Sequence, residues 1–244
     1  MGCWPVLFYK CRGVRMLKNV SRIEKLVLVF VAVVTLAGFA LSYINHDLFK
    51  QYFVVEDGFT EWVTLLALLV GMVVCFRRVW LLRGQRPFSF LLMTTLLGLF
   101  FFFGAGEEIS WGQRLFEIES SEFFEQNNAQ GEMNLHNLVV NDTKINKLVF
   151  GKGLALMLLL YLAVLIPLYR RKPAVQRFMD KLAIPIAANY QIVAYILVLL
   201  VVQVLMDSSK KGEMLEVSGS FVFLLNVVFP YNRSLFQASG KQAS

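Results

Sequence analysis

The sequence predicts an all-α polytopic membrane protein. It would be a bundle of six transmembrane helices, with both termini cytoplasmic and one long extracytoplasmic loop between helices 3 and 4. Three observations carry this. The 244 residues are 57% hydrophobic with mean hydropathy +0.59, beyond the roughly 45–50% apolar share of soluble domains. The apolar residues fall in blocks about as long as a helix needs, roughly 17–25 residues, to cross ~30 Å of hydrocarbon. Basic and acidic residues alternate between the segments that join those blocks, the pattern that sets orientation in a bilayer.

Taken in order, a basic segment over residues 1–25 carries Lys10, Arg12, Arg15, Lys18, Arg22 and Lys25 and precedes a first span at 26–44. The second span, 58–76, is joined to the third, 88–105, through Arg77, Arg78, Arg83 and Arg86. A loop over 106–147 leads to the fourth span, 148–169, which is followed by Arg170, Arg171, Lys172, Arg177 and Lys181. The fifth and sixth spans are read at 187–206 and 214–229, and a tail over 230–244 carries Arg233 and Lys241. The basic segments share one side, so the transmembrane domain is 26–229 with cytoplasmic ends. Lys210 and Lys211 run against the pattern. The sixth block is the shortest and holds Glu213 and Glu216 in its first turn, which would also suit an interfacial helix. The uncharged stretch 217–229 and the basic tail favour a span.

The net charge of +7 sits in short loops beside the spans. It reflects orientation and anionic headgroups, and no basic helix or aromatic RNA-binding motif points to nucleic acid. Cys3, Cys11 and Cys75 have no paired spacing, so neither a disulfide framework nor a CxxC metal site follows. The first apolar run is full length and lacks a small-residue cleavage pattern, unlike a signal peptide; Met16 opens a second candidate start. The run Phe100 to Phe103 reads as packing and lipid contact, and Gly104-Ala105-Gly106 allows close helix approach. Ser120 or Ser121 is expected to cap a short interfacial helix containing Phe123 and Phe124.

Three segments bear chemistry. In Gly106-Glu107-Glu108-Ile109-Ser110-Trp111-Gly112-Gln113-Arg114, a continuing helix would set Glu107, Ser110, Trp111 and Arg114 on one face. A Glu107–Arg114 pair with Trp111 as an interfacial anchor is the structural alternative. In Asn127 to Asn137, a helix would put Glu132 and His136 four apart on one face, whereas an extended strand would align Gln130, Glu132, Asn134 and His136. A polar loop whose amides, Asn137 among them, satisfy backbone groups is the plain alternative. In Glu56-Asp57-Gly58-Phe59-Thr60-Glu61, Asp57 or Thr60 would cap the second span and Glu56 would favour its positive end. Glu61 lies a turn further in, as Glu216 does in the sixth span, and an intramembrane acid is a functional candidate by default.

The combination of GEEISWGQR (106–114), NAQGEMNLHN (128–137) and EDGFTE (56–61) resembles a family of uncharacterised bacterial multi-pass inner-membrane proteins. That resemblance implies the bacterial cytoplasmic membrane and carries no established activity. A more distant similarity is to alkaline ceramidase-like intramembrane hydrolases, whose zinc is held mainly by histidines. With only His46 and His136, this chain has too few histidines for such a site.

Three functions are expected from these residues. In the first, a hydrolase or transferase acts on a lipid or lipid-linked substrate, with Glu61, Glu107, Glu108, Ser110 and Arg114 as catalytic candidates. A divalent cation on Glu108, Glu132 and His136 would polarise the substrate or activate water. Glu56, Asp57, Trp111, Gln113, Gln130, Asn134, Asn137, Glu213 and Glu216 would surround the site. In the second, the same acids form the proton or cation site of a transporter. In the third, the cluster holds a loop or a partner in a non-catalytic assembly protein.

Overall fold

A computed structural model describes residues 20–55, 58–113, 115–135, 137–140, 143–144 and 153–238. The described residues are mainly helical, and among them three helices are long and apolar enough to cross a membrane: α1 (Arg22–Ile44), α3 (Phe59–Leu82) and α4 (Phe88–Glu108). Only 28% of the apolar window of each is buried inside the protein, so most of its hydrocarbon surface faces outward and needs an apolar solvent.

Each of these helices begins where its local chemistry allows. Ser21 caps α1 in a reciprocal box: its hydroxyl accepts from Glu24 N (3.2 Å) and its own N–H donates to Glu24 Oε2 (2.8 Å). Pro87 sets the extended residue before α4. The start of α3 departs from expectation. Gly58 is its cap residue and offers no side chain, while Thr60, expected as a cap, lies inside the helix, buried, with no partner for its hydroxyl. Glu56 and Asp57 fall outside the described residues.

The remaining helical segments occupy the later apolar blocks. After the short α2 (His46–Leu48), a π-turn covers Phe49–Phe53. The helix α5 (Glu122–Asn127) and a two-residue hairpin of β1 (Val139–Val140) and β2 (Thr143–Lys144) lie in the loop after α4. Then α6 (Leu154–Leu160) runs through a π-turn, Tyr161–Leu165, into α7 (Ile166–Arg171). Next come α8 (Pro173–Lys181) and α9 (Asn189–Leu199), the latter extended by a π-turn over Leu200–Leu205. The last long helix, α10 (Lys211–Val228), is followed by a short 3₁₀ turn, Arg233–Phe236.

The core is built around α10, which packs against α1, α3 and α9. Met214, Val217 and Val222 of α10 meet Val31, Val34, Phe49, Val198 and Val202. Midway along, Thr35 and Ser218 share a buried hydrogen bond (2.8 Å) between α1 and α10. At the far end of α10, Arg78 of α3 donates to the carbonyls of Val227 (2.6 Å) and Val228 (2.9 Å), with its guanidinium over the Phe236 ring. A planar fork thereby satisfies carbonyls that a helix end leaves open.

The segment between α8 and α9 runs extended yet buried, so its backbone needs partners away from water. The Tyr161 hydroxyl donates to Pro185 O (2.6 Å) and accepts from Ala187 N (2.8 Å). Asn232 accepts from Ile186 N (3.1 Å) and donates to Ile184 O (3.1 Å). Nearby, Tyr190 bonds the buried Glu24, and Gln191, fully buried, donates to the carbonyls of Leu225 and Phe229 (3.0 and 3.1 Å).

Of the Phe run, Phe101 turns inward onto Phe223, while Phe100 and Phe102 face out. Phe101 occupies the space that a side chain at Gly71 would need, a Cβ there lying 2.6 Å from its ring. Gly71→Ala should therefore destabilise the α3–α4 contact by about 1–3 kcal/mol through overpacking. Gly104→Ala, whose nearest neighbour would be Leu68 at 3.5 Å, should be tolerated. Thermal unfolding of the two purified variants checks this, and equal melting temperatures would refute it.

Candidate functional site: an acidic helix junction and its loop

The helix α4 stops at Glu108 because the backbone then changes hand. Ser110 (φ 46°), Trp111 (φ 55°) and Gly112 (φ 81°) are all left-handed. Only glycine enters that region freely, and the other residues pay roughly 1–2 kcal/mol each for it. The expected continuation of one helical face through Ser110 and Trp111 is thus replaced by a tight turn, closed by Gly112 N to Ile109 O (2.8 Å) and Gln113 N to Ser110 O (3.0 Å). Trp111 still reaches Glu107, its Nε1 donating to Oε1 (2.8 Å), because its ring folds back along α4. That ring covers Gly106, where a Cβ would lie 2.8 Å from it, and meets Phe102 and Phe103 edge-on. The two glycines flanking the motif therefore have separate reasons: one makes room and the other allows the turn.

The second motif locks onto the first. The other oxygen of Glu107, Oε2, accepts from Leu135 N (2.7 Å). The Ser110 hydroxyl, fully buried, donates to Glu132 Oε2 (2.5 Å) and accepts from Asn134 Nδ2 (2.9 Å). Asn134 Nδ2 also donates to Glu132 Oε2 (3.0 Å). Asn128 organises the loop from within: its Oδ1 accepts from Gln130 N (2.9 Å) and Glu132 N (3.2 Å), and its Nδ2 donates to Asn134 O (2.8 Å) and Oδ1 (3.0 Å). Gln113 spans the gap, accepting from Met133 N (2.7 Å) and donating to Ser120 Oγ (2.6 Å), while Asn137 bonds Gln130.

Neither geometry expected for 127–137 is adopted. The helix α5 ends at Asn127, and the chain beyond it is a series of turns shaped by Asn128. Ser121 does precede α5, but its side chain makes no cap bond, and the Ser120 hydroxyl turns instead to Gly131 O. Asn128 and Ser120 are not among the expected site residues; an Asn opening a turn that ends three residues later at Gly131 is the signal that singles out the former. Arg114 and His136 lie outside the described residues.

Beside this network stands the acidic junction. Glu108, at the end of α4, lies within electrostatic reach of Glu61 in the first turn of α3, of Glu213 and Glu216 in the first turns of α10, and of Glu107. Glu61, Glu108, Glu213 and Glu216 are each half-buried. Lys210 pairs with Glu213 at 3.9 Å, across a partly exposed surface. The structure thus brings together Glu61, Glu107, Glu108, Glu213 and Glu216, and separately Ser110, Gln113, Glu132 and Asn134. Of the expected metal set, Glu132 faces Ser110 and Asn134, whereas Glu108 faces the helix carboxylates. Among the described residues, no group of three or more His, Cys, Asp or Glu is arranged to hold a metal ion.

No protein-family profile, curated protein or solved structure matches this chain.

Asn128 closes four hydrogen bonds inside the loop, each worth about 0.5–1.5 kcal/mol net. Asn128→Ala should free the loop while leaving the helices folded. Limited proteolysis within residues 115–135 should then run at least about tenfold faster, one decade per 1.4 kcal/mol of lost protection. An unchanged cleavage rate would show that the network does not hold the loop.

Proposed function

We propose that this chain is a six-span protein of the bacterial inner membrane, with cytoplasmic termini, whose working centre is the acidic junction at the extracytoplasmic ends of α3, α4 and α10. The centre receives a positively charged group, the ammonium of a lipid or lipid-linked substrate, which needs no set of metal ligands such as the described residues lack. Support for the topology comes from helical segments in all six apolar blocks and from the basic residues grouped between alternate ones. The assignment to a bacterial multi-pass family rests on the resemblance of the GEEISWGQR and NAQGEMNLHN segments alone.

One observation carries the reading: carboxylates of two other helices, Glu61 of α3 and Glu213 and Glu216 of α10, lie within electrostatic reach of Glu108 at the end of α4. Helix energetics accounts for acids at the starts of α3 and α10, where the dipole is positive, but disfavours Glu107 and Glu108 at the end of α4. Glu107 is compensated by its bonds to Trp111 and Leu135. Crowded like charges near hydrocarbon cost free energy, and a cation among them relieves that cost.

A second reading follows from Ser110. Its hydroxyl donates to a carboxylate that Asn134 orients, on a strained turn, which is the arrangement of an activated nucleophile. In a hydrolase or transferase, Ser110 Oγ would attack an ester carbonyl while its proton passes to Glu132. Glu132 would hand that proton to the departing oxygen, which leaves as the alcohol. Glu132 would then take one from water or an acceptor hydroxyl attacking the acyl group and return it to Ser110 Oγ as the acyl–oxygen bond breaks.

Manganese titrated into the protein in nanodiscs, followed by electron paramagnetic resonance, tests the first reading. The intact protein should bind manganese, used as a probe cation, in a saturable class that free ethanolamine displaces. The combined Glu108→Gln and Glu216→Gln variant should bind at least about tenfold more weakly, a loss of ~1.4 kcal/mol. Identical titrations would end the proposal. The second reading predicts that a fluorophosphonate probe labels Ser110, more slowly in Glu132→Gln and not at all in Ser110→Ala; a probe that ignores Ser110 would exclude it.

A further inference from the structure

Independently of the acidic junction, we infer that the turn after α4 is a membrane-inserting wedge, seated in the boundary between headgroups and acyl chains of the outer leaflet. The exposed side chains of Trp111, Leu115, Phe116 and Ile118 form it, and Phe116 stands out, 74% exposed. Large apolar groups held in water cost roughly 25 cal/mol per Å² of surface that burial would recover.

The depth of this surface follows from α4. Its 21 residues rise about 31 Å at 1.5 Å each, close to the ~30 Å of hydrocarbon, so the residues after Glu108 emerge at the polar boundary. The left-handed turn then sends the chain back toward the helix. Trp111 lies against Gly106 and meets the rings of Phe102 and Phe103 at 6.0 and 5.6 Å. Phe102 is itself exposed on the outward face of α4, so the surface continues without a break from the spanning helix through Trp111. Phe116 rests on Gly112, which extends it further.

The wedge is preorganised by bonds that involve none of its apolar groups. Phe116 N donates to Gly112 O and Ile118 N to Gln113 O (both 3.0 Å). Gln113, held by Ser120 and Met133, fixes the base of the turn. A rigid scaffold that points aromatic and aliphatic groups outward is built to present them. Glu117 and Glu119, both exposed, alternate with these groups and favour a neutral lipid surface over an anionic one.

A nitroxide at Phe116→Cys reads the depth directly in the full chain, reconstituted in phosphatidylcholine nanodiscs. Cys3 and Cys11 are replaced by serine, while Cys75 is fully buried and stays in place. Oxygen, which concentrates in lipid, should relax the label at position 116 severalfold more than a water-soluble nickel chelate. A label at Glu125→Cys, on an exposed face of α5, should show the reverse order. If the first label perturbs folding, Leu115→Cys carries the same expectation. Equal nickel accessibility at 116 and 125 would overturn the wedge by placing it in water. Exclusion of both reagents at 116 would overturn it in favour of a protein partner or a second copy.

Discussion

The acidic end of this molecule is tied together by the two oxygens of one carboxylate. Glu107 holds the Trp111 indole with one and the Leu135 amide with the other, so a helix end, the turn after it and a loop residue 28 positions away share one anchor. A carboxylate at the negative end of a helix is a poor choice on electrostatic grounds. It is stable here because its charge-assisted bonds are made inside the protein, where they are roughly twice as strong as neutral ones. That anchor fastens the left-handed turn and the loop to the helix end, while Asn128 and Gln113 shape the loop itself. Glu108, the next residue along, is thereby directed to the junction of α3 and α10.

The two ends of the bundle handle buried polarity differently. At the basic end, Tyr161, Asn232, Arg170 and Gln191 pair with the backbone of an extended segment that would otherwise leave open donors and acceptors. The chemistry there is consumed in structure. At the acidic end, the loop amides satisfy one another and Ser110, while the helix carboxylates gather beside them with like charge. The contrast separates a polar network tied to the backbone from one in which side chains mainly face one another.

Much of the helical architecture was legible because length and hydropathy are local properties. The blocks beginning near 26, 58 and 88 became α1, α3 and α4, and Pro87 marked the start of the last of these. The two motifs were also visible as carriers of polar residues, and they do interlock. Their geometry was not readable, because it turns on φ values at Ser110 and Trp111 that neither residue type favours; tertiary bonds impose them. That Ser110 meets Glu132 across 22 residues is likewise a fact of packing rather than of spacing. The Ser21–Glu24 box is a local S-x-x-E pattern ahead of an apolar run, but the burial of Glu24 against Tyr190 depends on a partner 166 positions away and leaves no local sign.

Arg78 has a further effect at long range. It latches the last carbonyls of α10 to α3, while Glu61 of α3 and Glu213 and Glu216 of α10 meet near the opposite tips, so the two helices run side by side in the same direction. With those ends tied, α3 and α10 can part at their acidic tips only by pivoting about the guanidinium fork, so any spreading of Glu61 from Glu213 and Glu216 turns on Arg78.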